Sequence, residues 1–170
     1  IDAENQKTHG GSMRYHFAKV NSNRMINDRA NKIIKKEKEQ GLHLEETFIK
    51  FRENCEESKK NLYSLLSSLK DKGHSICGYG ATSKSTTILN YCKIGSELIS
   101  FISDTTPIKQ GKVTPGMHIP VVDPSVFQKE RPDYTVLFAW NHEAEILAKE
   151  TFYTNNIGKW IRFVPKVEII

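Results

Sequence analysis

Residues 76–90 read ICGYGATSKSTTILN, a compact apolar segment that ends in a glycine turn and opens into a helix-forming run. A strand that turns through glycine into a helix points to the α/β class, because such a strand is apolar on both faces and needs helices over each. The texture repeats downstream. ELISFISD reads as a second strand ending in an acid, and TTPIKQGKVTPGMHIP as a loop punctuated by proline and glycine. VVD follows, then PSVFQKE as a short helix, YTVLFAWN as a third core strand, HEAEILAKETFY as a helix and WIRFVPKVEII as a fourth strand. Strands alternating with helices of this size predict βαβ units: a Rossmann-like, mostly parallel sheet with flanking helices.

Upstream of Gly73 the chain differs. MRYHFAKV, residues 13–20, has the aromatic and β-branched content of a short strand. Asn27 to about Lys38 reads as a polar helix, and Gly41 interrupts it. Phe48, Phe51, Cys55, Leu62, Leu65, Leu66 and Leu69 then recur at helical steps, which predicts one long helix from about Leu44 to Lys72 whose apolar stripe serves an internal core. Gly73 is its stop. The division expected from this pattern is residues 1–43 as a hinge strand and helix and residues 44–170 as the Rossmann-like domain.

Composition narrows the classes of function. No run of 18 apolar residues exists, so no membrane-spanning helix is expected. The start, IDAENQKTHGG, lacks the features of a signal peptide and an initiator Met, which predicts a piece of a longer protein. Net charge is +5, but the excess is scattered and lacks interleaved aromatics, so nucleic acid is not the expected partner. A modest positive bias suits a small anionic ligand. Cys55, Cys77 and Cys92 are odd in number and widely spaced, which predicts buried thiols, no disulfide framework and a reducing, cytoplasmic setting. The six histidines show no metal-ligand spacing, so no metal is expected.

The glycine turn is the first candidate site. Its backbone N–H groups from Gly80 through Ala81, Ser83 and Lys84 would sit at a helix N-terminus, where unpaired donors and the dipole favour an anion. Gly78 and Gly80 would permit the tight turn and a ligand's close approach, with Lys84 adding charge. Asp104 ends the next strand, where a dinucleotide-binding fold keeps its ribose acid. Against NAD, Ser83 stands where glycine or alanine completes that fingerprint. A structural turn with Thr82 or Ser83 as N-cap is the remaining alternative.

Two further strand ends carry candidates. Lys109 and Gln110 follow Asp104 in the loop, where Lys109 could reach a phosphate or sugar oxygen or stay a solvated loop lysine. Asn141 and His142 open the helix after the third core strand; Asn141 reads as an N-cap or a ligand contact, and Glu145 favours the cap. Tyr79 could stack on a base or pack as core.

Four ordered segments carry a resemblance: GYGATSKSTTILNYC, SDTTPIKQGKVTPGMHIPV, FAWNHEAEI and the C-terminal WIRFVPKVEII. Together they resemble the C-terminal domain of the S-adenosylmethionine-dependent C-methyltransferases that act on nucleotide-linked keto-deoxysugars. THGGSMR is similar to that family's H-G-G-S-x-R segment, so the resemblance covers residues 8–170. It implies an enzyme of three parts, in which a zinc-binding domain and an S-adenosylmethionine-holding methyltransferase domain precede this one. It further implies a nucleotide-diphosphate sugar in the cleft between the last two parts, and no methylation by this chain alone.

C-methylation beside a ketone needs a base for the α-proton, and histidine suits that role. His9 matches the family histidine to which the resemblance assigns it, with Gly10 and Gly11 letting the backbone bring the ring close. Arg14 could reach a phosphate or cover a strand edge. A binding module or scaffold without chemistry, and an NAD-binding fragment, are the competing classes.

Overall fold

A strand buried on both faces must supply apolar side chains in both directions, and Ile76–Tyr79 (β3) does so. Ile76 joins a core cluster with Leu66, Leu89, Ile102, Val136 and Ile161, whereas Cys77 and Tyr79 join another with Phe127, Leu137, Ala139 and Trp160. The computed structural model describes residues 1–170, in two compact units, Ile1–Asn54 and Cys55–Ile170.

The second unit is the predicted α/β fold. After β3 come Ser83–Cys92 (α3), Ile102–Ser103 (β4), Val121–Val122 (β5) and Pro124–Glu130 (α4). Tyr134–Leu137 (β6), Glu143–Lys149 (α5), Thr151–Asn156 (α6), Lys159–Arg162 (β7) and Glu168–Ile169 (β8) complete it. The six-stranded sheet has the order β5-β4-β3-β6-β7-β8, parallel except for the last pair. From β3 the chain moves outward to β4 and β5, then returns to β6 on the other side of β3. Strand order therefore reverses between β3 and β6, and ligands of open α/β sheets lie outside the carboxyl ends at such a point.

Several sequence expectations change. ELISFISD pairs as a strand only at Ile102–Ser103, and HEAEILAKETFY breaks at Glu150 into α5 and α6. WIRFVPKVEII is two strands, with β8 folding back antiparallel on β7. Gly78 is also placed differently from the expectation of a ligand approaching it. A Cβ there would lie 2.6 Å from Phe138 Cε2 and 2.9 Å from Ile102 Cγ1, so the glycine makes room for a neighbouring ring in the core. Gly78→Ala is expected to destabilise the chain by about 1–3 kcal/mol through overpacking. Urea unfolding checks this, and an unchanged midpoint would refute it.

The first unit contains Asp2–Gln6 (β1) paired antiparallel with Ser12–His16 (β2), the helix Asp28–Glu39 (α1) and the start of Glu45–Asp71 (α2). Asn27 caps α1 by accepting from the Arg29 N–H, and Arg29 bonds both Asp2 and Glu4 of β1. Its buried apolar side chain is Ala3, while Tyr15, Phe17, Met25, Phe48 and Phe51 are exposed. The stripe of α2 is thus not one core face: Leu62, Leu66 and Leu69 are buried, and Phe48 and Phe51 are not.

Candidate functional site

The turn after β3 is held from inside the protein. Gly80 adopts φ +91, and a Cβ there would come 2.9 Å from that of Ala139, so the position demands glycine. Its N–H donates to the Ser103 carbonyl at 2.8 Å, the Thr82 N–H to the Gly80 carbonyl at 3.0 Å and the Ala81 N–H to Asp104 Oδ2 at 2.7 Å. Thr82 caps α3, its hydroxyl accepting from the Ser85 N–H at 3.1 Å. The amides of Gly80 and Ala81, expected to face an anion, are therefore engaged by the protein itself. Ser83 opens α3 on the exposed surface.

Asp104 is the centre of this arrangement. Besides Ala81 it accepts from Lys109 Nζ at 3.2 Å on Oδ2 and from the Thr106 N–H at 2.8 Å on Oδ1. Lys109 Nζ also donates to the Ala81 carbonyl at 2.8 Å, and Gln110 Nε2 to the Asp104 carbonyl at 2.9 Å. Burial pushes the Asp104 carboxyl up, yet the Thr106 hydrogen bonds and the Lys109 ammonium outweigh it and hold it below its ordinary value. A ribose acid must turn its oxygens to a diol; three donors draw those of Asp104 onto its own loop and turn. This arrangement tells further against the dinucleotide alternative.

Lys84 and Asn141, 57 positions apart, meet across the β3–β6 reversal. Lys84 Nζ donates to Asn141 Oδ1 at 2.8 Å and lies 4.6 Å from the centre of the Trp140 ring, a cation–π distance. Asn141 is thus no N-cap. α5 starts after His142 without a side-chain cap, and Glu145 instead approaches His142 Nδ1 at 3.5 Å. Tyr79 resolves as core: its ring packs edge-on against Phe127 and Trp160, and its hydroxyl donates to Glu150 Oε1 at 2.8 Å. Burial and the Glu150 carboxylate raise the Tyr79 hydroxyl well above its ordinary value, so it stays protonated. Cys77 and Cys92 are buried thiols, and burial pushes Cys77 up to about 12.

Outside the carboxyl ends of β3, β4 and β6 lies a cavity of about 380 Å³, lined by Gly80, Ser103, Asp104, Lys109, His142 and Lys149 among others. A smaller one of about 290 Å³ has a more apolar wall of Ile108, Val113, Pro115 and Val121 beside α3. Ala81 and Lys109 stand by the smaller cavity, and Lys109 borders both. Sequence reasoning missed Ser103, Glu145 and Lys149. A signal existed: His142, Glu145 and Lys149 are spaced three and four apart along one helical face, and Ser103 directly precedes the acid that ends its strand.

His9 and Arg14 belong to the first unit. His9 sits in the turn between β1 and β2 with φ 54, followed by Gly10 at φ 84 and Gly11 at φ 131. Arg14 lies opposite Glu4 in the hairpin, with Nη1 3.6 Å from Glu4 Oε2. Asp2, Glu4 and His16 bring their ligand atoms within 4.8 Å of one another, but the cation between the carboxylates is the Arg29 guanidinium. No helix is long and apolar enough to cross a membrane.

Comparison with known proteins gives two findings. Residues 7–165 match the sequence family described as the C-methyltransferase C-terminal domain. The C-methyltransferase NovU of Streptomyces niveus is 31% identical over all 170 residues, which span 40% of that protein's length.

Proposed function

The chain belongs to the C-methyltransferase C-terminal domain family, and from that premise we propose that it forms the sugar-nucleotide side of a C-methyltransferase cleft. The observation that carries this reading is the cavity at the reversal of strand order, lined by Gly80, Asp104, Lys109 and His142, with the Lys84–Asn141 bond joining the start of α3 to the segment after β6. In this reading the diphosphate lies by Lys84 at the start of α3, and the 104–112 loop, fastened to the turn by Lys109 and Asp104, covers the sugar.

The methyl donor, S-adenosylmethionine, does not fit these residues. Its ribose would need an acidic group turned toward the ligand, and three N–H donors draw Asp104 onto its own loop and turn. Its place is assigned to a methyltransferase domain beyond this chain, where it supplies an electrophilic methyl group; this chain alone transfers none. The chain's own part is to hold the substrate and take a proton. His9 accepts the proton from the carbon beside the ketone, leaving the electron pair delocalised onto the carbonyl oxygen as an enolate. The exposed aromatic side chains of the first unit, Tyr15, Phe17, Phe48 and Phe51, suit a segment that leads in from that domain.

Titration of the 15N-labelled chain with thymidine diphosphate tests the binding half of this proposal. Saturable amide shifts are expected at residues 82–85 and 105–110. Shifts confined to the first unit, or none, would overturn it. The rival NAD-binding reading predicts enhanced NADH fluorescence on mixing, and none is expected.

A further inference from the structure

The floor of the larger cavity holds a group that the fold leaves unsatisfied. Ser103 is 1% exposed, and its hydroxyl has no hydrogen-bond partner in the protein. It faces the same side of the sheet as Tyr79, its neighbour in parallel register, because Ile102 before it points into the opposite core. A buried hydroxyl without a partner costs stability, and native proteins carry few of them. An alanine would fill nearly the same space without that cost.

The charged side chains that line the cavity are balanced, Lys109 and Lys149 against Asp104 and Glu145. Lys109 stands 3.2 Å from Asp104, and Lys149 is held 3.7 Å from Glu150 behind the wall. Lys149 is further anchored by the Tyr79 hydroxyl at 3.4 Å. A wall that alternates donors and acceptors with no net excess suits an uncharged ring bearing hydroxyls, which needs both, better than a bare phosphate, which needs donors only.

We propose that this cavity receives a hydroxyl-bearing ring of the diphosphate ligand, and that the Ser103 hydroxyl is a specificity-determining contact at its floor. The inference rests on the reading that the chain holds a sugar nucleotide, and it adds the part of the ligand bound and the residue that selects it. A ring hydroxyl reaching Ser103 satisfies the orphaned group and the ligand together. An analogue lacking that hydroxyl leaves Ser103 unpaired and is rejected.

The test compares wild type with Ser103→Ala by calorimetric titration with thymidine diphosphate and with thymidine diphosphate glucose, alongside melting of each free protein. S103A is expected to melt at or above the wild-type temperature and to bind about tenfold more weakly. Opposite signs of the two effects separate a ligand contact from a structural role. Weakening toward both probes assigns the pentose of the nucleotide; weakening toward the glucose conjugate alone assigns the hexose. Either supports the proposal. Equal affinity of wild type and S103A for both probes overturns it while leaving the sugar-nucleotide reading intact. Absence of saturable binding by wild type overturns both. Should S103A fail to fold, amide shifts in wild type decide: Ser103 and Lys149 must move with the glucose conjugate, and resonances that stay fixed at saturation overturn the inference.

Discussion

Replacing His9 with asparagine, in a protein that also carries the methyl-donor domain, is expected to reduce methyl transfer by about 10²–10⁴-fold, the range for loss of a general base. Asparagine is the informative choice. His9 has φ 54 in a run of three positive-φ residues, a conformation that L residues other than glycine adopt at a cost. Asparagine tolerates it at least as well as histidine does, so the hairpin keeps its turn and only the imidazole is lost. Thymidine diphosphate affinity should stay at the wild-type value, since the proposed diphosphate contacts lie on the second unit. Proton exchange gives a readout that does not depend on the methyl donor. Wild type should introduce deuterium from solvent at the carbon beside the ketone, and His9→Asn should not. Turnover and exchange within threefold of wild type would remove His9 from the chemistry and favour a scaffold role for this chain.

Asp104→Ala is expected to cost about 2–4 kcal/mol in urea unfolding. Most of that comes from the Ala81 and Thr106 N–H groups, which lose their acceptor inside the fold. The ion pair itself adds little, because the Lys109 side chain is 40% exposed. The pH dependence follows from the direction of the Asp104 shift. Its folded value lies below the ordinary 3.8, so the ionised form stabilises the fold. That contribution is complete at pH values above the unfolded value and is lost as pH falls below about 4, through the lowered folded value. The stability difference between wild type and D104A should therefore be constant at neutral pH and shrink in acid. A ribose-binding acid makes the opposite prediction: unchanged stability with lost affinity. Loss of less than about 0.5 kcal/mol, within the range of ordinary surface substitutions, would sink the present account of Asp104.

Features carried within a few residues were legible in the chain. ICGY alternates Ile76 and Gly78 with Cys77 and Tyr79, and the two sets occupy opposite faces of the sheet. Thr82, weighed as an N-cap of α3, is one because its short hydroxyl reaches the N–H group three residues on. The glycine turn's own position, at the carboxyl end of the first strand of the sheet, was legible as well.

What was misread depends on partners far along the chain. DAENQ has no strand character of its own and becomes β1 because β2 pairs with it. Phe48 and Phe51 keep the helical spacing of Leu62 and Leu66, yet periodicity states only that a face exists and not what covers it.

Local properties of the chain, its periodicity and the order of its motifs, were enough for the α/β class, for the alternation of strands and helices after Gly73 and for the family. Which groups at the glycine turn remain to meet a ligand depends instead on contacts that form on folding. Ala81 finds its acceptor 23 residues away in Asp104, Lys84 its partner 57 away in Asn141 and Tyr79 its carboxylate 71 away in Glu150. A donor's availability is fixed by whichever acceptor folding brings within about 3 Å, and separation along the chain carries no information about that distance.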